Sequence, residues 1–83
     1  MSKDIQYSRH ANRRMKLYSI SQDDILSVIE EKNPELEFSQ GKHEIIGKNV
    51  CSQDGYPIKV VFSCERDKIV IITAYPLKKG RKQ

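Results

Sequence analysis

Two residues near the start of this chain have the types and spacing to handle a phosphate. His10 and Arg14 lie four positions apart within Ser8-Arg9-His10-Ala11-Asn12-Arg13-Arg14-Met15, a segment that reads as the opening of a helix. Four residues is a little over one helical turn, so both side chains project from the same face. A titratable imidazole beside a permanent cation supplies a proton carrier and an anion clamp within one turn. The plainer alternative is a basic helix packed on a small sheet, with Arg14 paired to an acid of the next helix such as Asp24.

The helix must place these groups. Ser8 is a good N-cap, and the periodicity runs to about Leu17. At about 100° per residue, His10, Ala11, Arg14, Met15, Leu17 and Tyr18 share one broad face, whereas Arg9, Asn12, Arg13 and Lys16 share the other. Arg14 is therefore the odd residue, a cation among apolar neighbours, which suits a residue lining a cleft.

Ser21-Gln22-Asp23-Asp24 opens a second helix with a capping-box pattern, and Ile25, Val28 and Ile29 form its apolar stripe. Asn33-Pro34 ends it, with asparagine suited to a left-handed cap. From Glu35 the period becomes two. Leu36 and Phe38 alternate with polar neighbours, and Leu36–Ser39 reads as an edge strand open to a protein partner. Residues 43–50 form a second strand weakened by Gly47, Asp54-Gly55 a turn, Ile58–Cys64 a third strand, and Ile69–Tyr75 a central strand apolar on both faces. The expected fold is one α+β domain over residues 1–83: two N-terminal helices on a four-stranded antiparallel sheet, in the order ααββββ. Ile5 and Tyr7 leave room for a further short strand. The tail from Lys78 to Gln83 reads as flexible.

The 83 residues carry 15 Lys and Arg against 11 Asp and Glu, a formal charge of +4. The bases gather on the first helix and in the tail and the acids between them, a distribution that favours a polyanionic partner. No apolar run is long enough for a signal peptide or a membrane span, so a cytoplasmic protein with no membrane partner is expected. Cys51 and Cys64 read as reduced structural thiols. His43 reads as a solvated residue at a strand start. No Cys-x-x-Cys or Cys/His cluster suggests a metal, and no cofactor is expected.

Four blocks carry a resemblance: Ser8-x-His10-Ala11-x-x-Arg14-Met15, Ile20-Ser21-x-x-Asp24-Ile25, Gly55-x-Pro57-Ile58-x-Val60-Val61, and Val70-Ile71-Ile72-Thr73-x-Tyr75-Pro76. In this order they resemble domain-of-unknown-function family 4258, which looks like part of the barnase/colicin/RelE-like ribonuclease superfamily, the BrnT- and RelE-type toxins included. Where that family usually has Arg-Gly before the second helix, this chain has Tyr18-Ser19.

The resemblance implies a RelE-like fold and metal-independent RNA cleavage, in which the 2′-OH attacks the adjacent phosphate and leaves a 2′,3′-cyclic phosphate. It implies His10 as base, Arg14 as phosphate clamp, and Thr73 and Tyr75 on the last strand as the other half of the catalytic set. Arg13, Lys59, Lys78, Lys79 and Arg81 would add affinity for the RNA backbone. The implied partners are RNA, ribosome-associated mRNA included, and a small acidic antitoxin. The alternative is a nucleic-acid-binding or protein-interaction domain without catalysis.

Overall fold

The computed structural model describes residues 4–33, 38–51 and 55–77, with 48–51 described by backbone alone. Pro34, Leu36, Asp54, the Cys51 thiol, Lys78, Lys79 and Arg81 therefore lie outside what is described.

The elements run β1 (Asp4–Tyr7), α1 (Arg9–Tyr18), α2 (Gln22–Lys32), β2 (Gly41–Cys51), β3 (Pro57–Cys64) and β4 (Lys68–Pro76). Both helices start as their caps dictate. Ala11 N–H donates to Ser8 Oγ at 3.0 Å. At α2, Asp24 N–H donates to Ser21 Oγ at 3.0 Å and Ser21 N–H donates to Asp24 Oδ2 at 3.1 Å, a reciprocal capping box. The helix ends differ from expectation. Asn33 is extended (φ −153°), and the left-handed residue is Ser19, at φ 58° and ψ 40° between the helices. A glycine takes that conformation freely, and a serine holds it at some strain.

The sheet corrects the expected topology. Its order is β1-β4-β3-β2. β2–β3 and β3–β4 are antiparallel, as short turns require, but β1 pairs parallel with β4, from Asp4↔Lys68 to Tyr7↔Ile71. The sheet is mixed and the order is βααβββ. The fourth strand is the short N-terminal segment rather than Leu36–Ser39, where Phe38 and Ser39 lie outside any strand. Phe38 is diverted to packing. Its ring meets Phe62 edge-on at 5.0 Å and His43 at 5.4 Å, and its carbonyl accepts from the Cys64 thiol at 3.4 Å. His43 is correspondingly half-buried rather than solvated: it stacks on Phe62 and donates Nε2–H to the Ser39 carbonyl at 2.7 Å.

The core lies between the helices and one sheet face. Ala11 and Met15 of α1 and Ile25, Val28 and Ile29 of α2 meet Ile45, Ile58, Val60, Phe62, Cys64, Ile69, Ile71 and Ala74. Leu17 departs from its expected place and is 65% exposed. Tyr7 packs against the core, and burial, with the Asp23 carboxylate second, pushes its phenol above the ordinary tyrosine range. Gly47 brings α2 close to β2. A Cβ built there would sit 2.8 Å from Val28 Cγ2, so the residue that weakens the strand pattern is what admits the helix.

Two stability measurements follow. Gly47→Ala should destabilise by about 1–3 kcal/mol through overpacking, and Val28→Ala should recover part of that loss; strictly additive effects in urea unfolding would contradict the close approach. Ser19→Gly should stabilise by about 0.5–1 kcal/mol by relieving the left-handed strain, and a lower unfolding midpoint would refute that account.

Candidate functional site

The site is built by a break in the alternation of β4. A strict period of two would send residues 69, 71, 73 and 75 to one face. Ile69 and Ile71 are fully buried in the core, yet Thr73 and Tyr75 are only half-buried. The pairing register explains the change: Val61 opposes Thr73, the next residue Phe62 opposes Ile71, and Ile72 is left as the extra residue of a β-bulge. Beyond it, Ala74 is buried at the core, and Thr73 and Tyr75 turn to the face away from α2.

The N-terminus of α1 is tied to that bulge. Ser8 Oγ–H donates to the Ile72 carbonyl at 2.9 Å while the same oxygen accepts from Ala11 N–H. Ser8 N–H donates to the Ile71 carbonyl at 3.0 Å. One serine thus caps the helix and fixes its first turn against β4. His10 follows two residues after Ser8, and Thr73 one residue after Ile72.

The result is a cleft of about 300 Å³ lined by His10, Arg14, Tyr18, Thr73 and Tyr75. All four residues assigned to catalysis from the sequence line this one cleft. Arg14 Nε–H donates to His10 Nε2 across 3.4 Å, a long contact. Among the described residues no carboxylate pairs with Arg14, and Asp24 is engaged in its own capping box. Arg14 is half-buried, at the boundary between the packed stripe and solvent.

Tyr18 is the lining residue that the sequence reading did not assign to the site. Its signal was the spacing His10, Arg14, Tyr18, successive turns of one helix face, but an aromatic on a face with Ala11 and Met15 reads as core.

The binding set divides. Arg13 is exposed on α1. Lys59 lies outside the cleft but beside it, for its register partner on β4 is Tyr75. Its Nζ is 6.0 Å from the Tyr75 ring centroid and 3.1 Å from Glu44 Oε1. The hydrogen bond to Glu44, followed by the Tyr75 phenol, holds Lys59 above the ordinary lysine range.

Among the described residues, no three of His, Cys, Asp and Glu gather as a metal would require, and no helix is long and apolar enough to cross a membrane. Cys64 is a buried free thiol.

Removing the Ser8 hydroxyl should show whether it holds the two halves of the cleft together. Ser8→Ala should lower stability by about 1–2 kcal/mol and shift the NMR signals of both His10 and Thr73, and Ser8→Thr should restore both. An Ala variant with unchanged His10 and Thr73 signals would mean that the hydroxyl does not set their relation.

No curated protein and no solved structure matches the chain. A family model does, over residues 7–76, from the last residue of β1 to the last of β4, a span that includes every residue lining the cleft. The chain belongs to the family described as domain of unknown function (DUF4258).

Proposed function

We propose that the cleft cleaves RNA without a metal, and that the chain is a small endoribonuclease of the kind gathered in the barnase/colicin/RelE-like superfamily. The observation that carries this reading is the meeting of His10, Arg14, Thr73 and Tyr75, drawn from opposite ends of the sequence, around one open cleft.

In this mechanism the scissile phosphate sits against Arg14, whose guanidinium turns from His10 to the phosphate oxygens and frees Nε2. His10 Nε2 then takes the proton of the 2′-OH, and the 2′ oxygen attacks phosphorus as the bond to the 5′ oxygen breaks. The products are a 2′,3′-cyclic phosphate and a 5′-hydroxyl. Thr73 donates a hydrogen bond to a phosphate oxygen, and the Tyr75 phenol gives its proton to the 5′ oxygen as it leaves, to be reprotonated from the 2′-OH proton held on His10 by way of solvent. Each group can act only within hydrogen-bond reach of the same phosphate, a condition that a shared cleft supports. Such an enzyme acts in the cytoplasm on RNA, mRNA on the ribosome included. A toxin of this type would be restrained by a small acidic antitoxin, a charge complement to a chain of formal charge +4.

The test is incubation of the purified protein with RNA in EDTA. Cleavage should leave cyclic-phosphate ends, and His10→Ala and Arg14→Ala should each slow it about 10²–10⁴-fold with the fold intact by circular dichroism. Intact RNA with the wild type, or cleavage by both variants at the wild-type rate, would sink the assignment. Salt-dependent RNA binding without cleavage would instead favour a binding domain on the same scaffold.

A further inference from the structure

The cleft accounts for one phosphate and one strand of the sheet face that carries Thr73 and Tyr75, and the next strand carries a cation in a particular position. Sheet order places β3 directly beside β4 on the side away from β1, with β2 beyond it. Lys59 and Tyr75 are register partners, so their side chains stand next to each other on one face. Tyr75 therefore has two cations as neighbours, Arg14 in the lining of the same cleft and Lys59 on the adjacent strand. A cation, an aromatic ring and a second cation in sequence is the layout of a single-strand track, in which bases stack on the ring and successive phosphates meet the charges.

Lys59 is already engaged. Glu44 reaches it from β2, with Nζ and Oε1 3.1 Å apart and the carboxylate side chain 51% exposed. The Lys59 side chain is 22% exposed, so the pair lies at the surface of that face with Glu44 its more open member. A surface ion pair with one open partner is a weak tie that a polyanion can displace.

We infer that Lys59 is a second phosphate subsite for single-stranded RNA, adjoining the cleft across Tyr75, and that Glu44 occupies this subsite until RNA displaces it. The inference rests on the nucleic-acid reading of the cleft but does not require catalysis. RNA then runs across the strands, from α1 over β4 toward β2. Glu44 acts as a built-in competitor that lowers affinity for any polyanion, and one that exchanges a phosphate for a carboxylate when product leaves.

The experiment uses a fluorescently labelled thymidine hexadeoxynucleotide, which lacks the 2′-OH and cannot be cut by the proposed route, and thymidine monophosphate as a single-phosphate probe. Glu44→Gln should tighten hexamer binding about two- to threefold at low salt and leave the mononucleotide unchanged. Lys59→Gln should weaken the hexamer and reduce the slope of log K against log salt by about 0.7, the share of one single-strand phosphate. In the Lys59→Gln background, Glu44→Gln should bring no gain. Glu65→Gln removes the same charge from a pair with Lys68 at the β3–β4 turn and controls for net charge.

A gain from Glu44→Gln no larger than from Glu65→Gln, or one that persists without Lys59, overturns the subsite. So does a hexamer that fails to bind. Tight, Glu44-sensitive hexamer binding by a protein that leaves RNA intact would refute the ribonuclease reading alone. RNA cleavage with hexamer affinity insensitive to Glu44 would refute the subsite alone.

Discussion

The Ser8 hydroxyl is the contact on which the site depends. A single oxygen accepts from the first turn of α1 and donates to the carbonyl of the bulged Ile72. The bulge decides which way Thr73 and Tyr75 face, and the cap decides where α1 begins. With one group serving both, the helix half and the strand half of the cleft are placed relative to each other rather than independently. Bulges commonly re-aim side chains in this way. Here the bulge does so on a central strand whose other face is the core.

That arrangement divides the sheet into two surfaces with different tasks. Ile58, Val60, Phe62 and Cys64 alternate without interruption along β3 and are fully or almost fully buried against the helices. The opposite face carries Lys59, Val61, Glu44, Thr73 and Tyr75, a mixture of charge, hydroxyl and ring in which, of these five, Val61 alone is buried. The first surface holds the core, and the second carries the residues that line the cleft together with Lys59 and Glu44. A substitution at Thr73 or Tyr75 therefore touches the site without opening a core cavity, in contrast to one at the adjacent Ala74, which is fully buried.

The sequence was most legible where local chemistry is decisive. Ser8 and Ser21 marked the helix starts because their hydroxyls satisfy free backbone N–H groups. Residues 58–64 declared a half-buried strand by alternation. The parallel β1 was hidden because four residues carry little periodic signal and their partner lies at the far end of the chain. The alternation of Leu36 and Phe38 misled, since Phe38 is used as a ring in the Phe62 and His43 cluster. In the site, His10 and Arg14 were legible from helical spacing alone, and Arg14 stood out against its apolar neighbours. Thr73 and Tyr75 entered through the family resemblance. Their orientation was not legible, because strict alternation puts them in the core and only the register with β3 reveals the bulge. The Tyr18-Ser19 pair gained a physical reading: Ser19 takes the left-handed turn a glycine would favour, and Tyr18 lines the cleft.

The parallel pairing of β1 with β4 has a consequence for how the protein is made. Asp4 meets Lys68, and Ser8 bonds to a residue 64 positions later. Closing so long a loop comes late in folding, because its entropy must be met before the contact returns anything. The capped helices and the β2–β3 hairpin are local and can form on a growing chain. The cleft cannot, since its strand half on β4 is made long after its helix half on α1. A nascent chain carrying His10 and Arg14 thus has half a site and no partner for it until β4 has been made and paired.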